Sequence, residues 1–128
     1  MTIVEQIAEY LEDQGIGAVG TSIFWSYLPD PDSGDFNIAV MDTGGPEPDK
    51  YLPTKEPDFQ VFVRAKDYAT GKAKVDAIRT ALHQKKGLEL ITDEDYFYFI
   101  LLRGEGGHLG RNDAGRDEFS MNFRSRIR

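Results

Sequence analysis

Four side chains could support acid–base or hydrolytic chemistry: Asp42, Glu47, His83 and His108. A small hydrolytic or ligand-binding domain built on Asp42, Glu47 and His108 would need those groups to converge in one pocket with shifted pKa values. No spacing in the chain argues that they do. The two histidines are far apart, and neither has a Cys, His or Asp neighbour at metal-ligand spacing. His83 falls near the end of a predicted helix, where a surface role is expected. There is no cysteine, which excludes disulfides, thiolate metal sites and cysteine nucleophiles. No catalytic residue, metal ligand or cofactor is therefore assigned, and the chain is not expected to be an enzyme.

The motif-like stretches fail on their details. Asp30-Pro31-Asp32-Ser33-Gly34-Asp35 is acidic like a calcium loop, but its glycine falls at position 5 and Met41 stands where a bidentate Glu is required. It reads as an acidic turn. Gly104-Glu105-Gly106-Gly107-His108-Leu109-Gly110-Arg111 is rich in glycine but does not open a helix, so it is no phosphate cradle. It reads as a long loop, reaching to Gly115, that touches a partner. Asp42-Thr43-Gly44 occurs once and reads as a turn after a strand.

These residues must be positioned by a domain of 128 residues, long enough for one core. Hydrophobic content of 40% and charged content of 29% are those of a globular chain. No apolar stretch approaches the roughly 20 residues that span a bilayer, and no signal-like N-terminus is seen, so a cytosolic origin and no membrane partner are expected.

Periodicity predicts a helix over 3–14, with Ile3, Ile7 and Leu11 in one stripe and Gly15 and Gly17 ending it. Strands are predicted over 23–27 and 36–41, paired as a hairpin, and over 59–64. Residues 42–57 hold four prolines and read as a loop. A second helix is predicted over 68–86, with Asp67 as N-cap and Val75, Ile78, Ala81 and Leu82 buried. Lys85 and Lys86 suit its end and Gly87 closes it. Gly71 lies on the buried stripe, where a missing side chain lets the helix approach the sheet. A short edge strand over 88–91 follows. Then comes the apolar run Tyr96–Leu102, predicted as a middle strand covered on both faces, with Phe99 packed on Leu82. In the last strand, Phe119, Met121 and Phe123 alternate with Ser120, Asn122 and Arg124. The order α-β-β-β-α-β-β-β predicts one α+β domain: a mixed, mainly antiparallel sheet with two helices on one face.

Charge is uneven. Residues 1–58 carry 12 acids against 2 bases, and residues 59–128 carry 10 against 13, for a net of −7. Two surfaces of opposite sign suit self-assembly, while an acidic chain is unsuited to tight DNA binding.

Several segments resemble the bacteriophage minor capsid proteins that serve as tail terminators at the head–tail junction. They are Ile7-Ala8-Glu9-Tyr10-Leu11 with Gly15; Val40-Met41-Asp42-Thr43-Gly44-Gly45-Pro46; Phe59–Arg64 leading into Asp67-Tyr68 and Ala77-Ile78; and Gly110–Arg116 leading into Phe119–Phe123. The resemblance implies a structural virion protein, made in the host cytoplasm, that forms a ring, commonly of six copies. Its partners would be further copies of itself, the tail tube protein and a head-completion or neck protein, with DNA passing through without tight binding. A head-side connector of the same junction is the alternative. The residues expected at interfaces are Asp42, Gly44, Gly45, His108, Arg111, Arg116 and Arg124.

Overall fold

The computed structural model describes residues 3–26, 34–44, 56–83, 85–89, 96–112 and 115–127; for residues 85–89, 96–99, 104–106 and 127 it describes the backbone only. Among the described residues there are two helices, α1 (Ile3–Asp13) and α2 (Tyr68–Leu82). The strands are β1 (Ile23–Trp25), β2 (Phe36–Gly44), β3 (Asp58–Ala65), β4 (Lys85–Glu89), β5 (Tyr96–Arg111) and β6 (Asp117–Ile127). The six strands form one sheet in the order β1-β2-β3-β6-β5-β4. Every neighbouring pair is antiparallel except β1–β2. This is the expected α+β domain.

The core lies between the sheet and the helices, with α1 against β1 and β2 and α2 against β3, β6 and β5. Strict alternation builds the sheet's side of it. Phe59, Val61, Val63 and Ala65 of β3 are buried, as are Phe119, Met121 and Phe123 of β6. Cross-strand register stacks the Phe59 and Phe123 rings at 5.2 Å. From the helices come Ile7, Leu11, Val75, Ile78 and Leu82. On the other face of the β3–β6 pair, the register sets Asp58 beside Arg124, Gln60 beside Asn122 and Arg64 beside Glu118.

Caps shape the helices. Gly15, at φ +77, ends α1, and the Ile16 N–H returns to the Leu11 carbonyl. Asp67 Oδ1 accepts the Thr70 N–H at 2.7 Å, so Asp67 is the N-cap of α2. That hydrogen bond holds the Asp67 carboxyl below its usual pKa. Gly71 lies where α2 crosses Phe119, and a Cβ there would stand 2.1 Å from Phe119 Cε1. Lys74 donates to the Ile16 carbonyl at 2.8 Å and sits 4.2 Å from the centre of the Phe36 ring. It thereby links α2, the turn after α1, and β2.

The structure corrects six expectations. β1 and β2 run parallel, with Ile23 beside Ile38, and do not form a hairpin. Ser26, at φ +68, turns the chain away after Trp25 while its N–H bonds the Val40 carbonyl. α2 ends at Leu82, with His83 as C-cap, because Lys85 already pairs with Ile100. Lys85, Lys86 and Gly87 thus belong to β4, and the edge strand begins three residues earlier than predicted.

The apolar run forms part of β5, but the middle of the sheet is β3–β6. Helices cover one face only there, so Ile100 is fully buried while Leu101 is 37% exposed. The glycine-rich stretch is strand as far as Arg111, because register shifts between Arg103 and Gly107 and between His108 and Gly110 absorb its extra residues. The turn is confined to Asn112–Arg116, where the Asn112 N–H bonds the Arg116 carbonyl. Asp42, Thr43 and Gly44 belong to β2 instead of opening a loop. Most of the remainder of that expected loop, residues 45–55, lies outside the described residues, as does the Phe99 side chain.

Candidate assembly surface

The expected interface residues are scattered over several parts of the sheet. Asp42 and Gly44 end β2, one strand in from the β1 side of the sheet. Both are exposed. Asp42 Oδ1 accepts the Gly44 N–H at 2.9 Å, and Gly44 adopts φ +91 at a bulge against β3. Gly45 and Glu47 lie outside the described residues.

His108 and Arg111 lie on β5, toward the opposite side of the sheet. Three strand spacings of about 4.8 Å separate β2 from β5. The strands also offset the two sites lengthwise: Asp42 is level with Phe59 and Phe123, and His108 with Phe119 and Val63. Asp42 and His108 therefore do not converge, which removes the geometric basis of a hydrolytic site. Among the described residues there is also no cluster of three or more metal-ligating side chains.

His108 is held by its surroundings. Its Nε2 lies 2.8 Å from Asp117 Oδ1, and its ring packs edge-on to Tyr68 and tilted against Phe119. Asp117 opens β6 and is almost fully buried. Arg111 Nε approaches the same carboxylate oxygen at 3.5 Å while its side chain stays 68% exposed. Asp117 and Tyr68 escaped the sequence reading. An aspartate at a strand's first residue carries no mark of burial, since its partners join it only across the hairpin. Tyr68 could be found only as an exposed aromatic in the first turn of α2.

Arg116 and Arg124 occupy different settings. Arg116 is half-buried and donates to the Gly34 carbonyl at 2.5 Å, tying the β5–β6 turn to the start of β2. Its N–H also bonds Asn112 Oδ1. Arg124 is exposed on the polar sheet face, 3.8 Å from Glu56. Arg126 bonds the same glutamate, and Arg103 bonds Asp58 at 2.9 Å. Glu56 and Asp58, at the end of the acidic half of the sequence, thus lie beside arginines of the last two strands. Arg103 was missed because it sits at the end of an apolar run. Beside this network is a polar cleft of about 470 Å³ lined by Thr43, Asp58, Arg103, Asn122 and Phe123. His83 is not a free surface residue either, as its Nδ1 accepts the Leu102 N–H at 3.0 Å.

The family model for the bacteriophage tail terminator protein matches residues 10–128. The chain belongs to the tail terminator family. It is therefore a phage structural protein, a class that acts by assembly. No curated protein matches its sequence. In fold, this family member is similar to a chain solved as part of the virion of a native gene transfer agent particle. That likeness has a TM-score of 0.65 and 19% identity, covering 98% of this chain and 93% of that one. Among the described residues, no helix is long and apolar enough to cross a membrane. In this tail-terminator chain, Asp42 and Gly44 are exposed on one side of the sheet, and His108, Leu109 and Arg111 on the other.

Proposed function

We propose that the protein forms a closed ring that caps the finished tail tube and presents the surface to which the head joins. The observation that carries this reading, given the family, is the placement of Asp42 and Gly44 toward one side of the sheet and of His108 and Arg111 toward the other. A ring is built from head-to-tail contacts, which require two different surfaces on each subunit. The net charge of −7 suits a ring through which DNA passes without being held. Six is the common count for such rings, and the partners are the tail tube protein below and a head-completion or neck protein above. Assembly in the host cytoplasm precedes incorporation at the head–tail junction.

Native mass spectrometry at several protein concentrations and salt levels tests the ring, and purified tail tubes added in a second run test the capping. A single oligomer of fixed stoichiometry, found at tube ends by electron microscopy, is the expected result. A compact monomer under every condition, including in the presence of tubes, would refute it.

A further inference from the structure

β5 is longer than the strand that borders it. β4 pairs with its first part, from Tyr96 to Ile100. Beyond that point only one described group occupies the outer edge of β5: the His83 imidazole, which accepts the Leu102 N–H. From Arg103 to Arg111 the strand is paired to β6 on its inner side, and no described residue pairs with its outer side. A strand edge of this length with no partner among the described residues invites another strand, and proteins left as monomers usually blunt such edges.

The composition of this segment favours close approach. Gly104, Gly106, Gly107 and Gly110 remove bulk from it, and a Cβ built at Gly107 would meet nothing within 4 Å. Leu109 is 60% exposed. The two bulges limit how many residues can pair without interruption, so a short incoming strand fits better than a long one.

The other side of the sheet offers such a strand. β1 covers the outer edge of β2 only from Ile38 to Val40. The last residues of β2, Met41–Gly44, have no described strand on that edge. The outer edge of β1 itself is engaged at Ile23 by Val19. Charge is complementary, since Asp42 is exposed on the β2 segment while Arg103 and Arg111 on the β5 segment outnumber its single acid, Glu105. The arginines keep room for a second partner, with Arg103 60% exposed beside Asp58 and Arg111 still largely in solvent.

We propose that the open edge of β5, Arg103–Arg111, is completed in the assembled protein by Met41–Gly44 of a second copy of this chain. Main-chain pairing supplies the contact, and Asp42 facing the cationic strand sets its register. Repetition of this contact joins the sheets of successive subunits edge to edge. The inference rests on the ring reading and specifies which surfaces close it.

The absence of native cysteine makes the test direct. The double variant Thr43→Cys/Leu109→Cys places thiols on both exposed segments. Mild oxidation should give a ladder of disulfide-linked multiples ending at the size of the native oligomer. Thr43→Cys and Leu109→Cys chains mixed as single variants should give at least about tenfold more linked dimer than either alone. Thr43→Cys/Asp13→Cys, with its second thiol at the end of α1, is the control and should give no ladder. If Leu109→Cys disturbs the fold, Gly107→Cys, at a position with open space, replaces it. An oligomer intact by native mass spectrometry but unlinked by either pair overturns the edge pairing and leaves the ring standing. Failure of the unsubstituted chain to form any oligomer overturns both.

Discussion

Gly71 of α2 lies directly over the ring of Phe119 in β6, with no room between them for a methyl group. A Cβ on Gly71 would fall 2.1 Å from Phe119 Cε1 and 2.9 Å from Cδ1 and Cζ. Phe119 is buried and also packs on Tyr68 and His108, so its ring has little freedom to withdraw. This contact sets how closely α2 rests on the sheet, and through Tyr68 it positions the outer end of β5.

Gly71→Ala should therefore destabilise the protein although alanine is the better helix former. The helix gains about 1 kcal/mol from the exchange, while overpacking costs about 1–3 kcal/mol. A lowered Tm is expected, with partial recovery in Gly71→Ala/Phe119→Leu, where the smaller side chain makes room. A Tm raised by Gly71→Ala alone would show that the helix lifts off without penalty.

Asp67→Ala should lower the Tm at neutral pH, and Asp67→Asn should retain part of the capping. The pH dependence has a definite sign. The Thr70 backbone N–H lowers the folded-state pKa of Asp67, so the stability it contributes is present above the unfolded-state value of about 3.9. That stability is lost as pH falls through the lower folded value. Wild type and Asp67→Ala should thus converge in Tm on acidification. A gap that widens below about pH 4 contradicts the assignment.

Lys74→Met keeps most of the side-chain length but removes the hydrogen bond to the Ile16 carbonyl and the charge over Phe36. A loss of about 1–3 kcal/mol is expected from the charged hydrogen bond, read as a lower denaturant midpoint at unchanged slope. No change in midpoint would mean that water replaces the ammonium at no cost.

Arg124→Glu should leave the fold intact, because Arg124 projects from the polar sheet face and its contact with Glu56 is exposed and long. The stability change should stay within about 1 kcal/mol. Assembly should weaken, since Arg124 is among the residues expected at interfaces and the substitution adds an acid beside Glu56 and Asp58. Melting temperature and oligomer mass decide it together. An unaltered mass at both low and moderate salt removes Arg124 from the contact.

Much of this fold could be read directly from residue patterns. Alternation alone assigned the faces of β6, and the Val75, Ile78, Leu82 stripe assigned the buried side of α2, including the place of Gly71. What could not be read was set by partners remote in sequence. Nothing local to Ile23–Trp25 distinguishes parallel from antiparallel pairing with β2. The glycines after Arg103 look like a loop until β6 lies alongside to supply hydrogen bonds and bulges. The charge asymmetry between the two halves was real, but its spatial meaning was not, because Glu56 and Asp58 end up beside Arg126, Arg124 and Arg103. The expected interface residues Asp42, Gly44 and His108 were chosen for loop-like composition, whereas their division between two sides of the sheet required the strand order.

The strand order also dictates when the molecule can exist. β6 is the last described element of the chain, yet it separates β3 from β5 near the middle of the sheet. Asp58–Ala65 waits for Asp117–Arg124, made more than fifty residues later, before its second edge is filled. Up to that moment the nascent chain holds two halves of a sheet, each with an unpaired inner edge, and pairing so distant in sequence is slow. A polypeptide released before β6 would keep both edges open and would be a target for aggregation or proteolysis. The last-made of the described strands is thus the one that closes the sheet: no chain that lacks it can join β3 to β5.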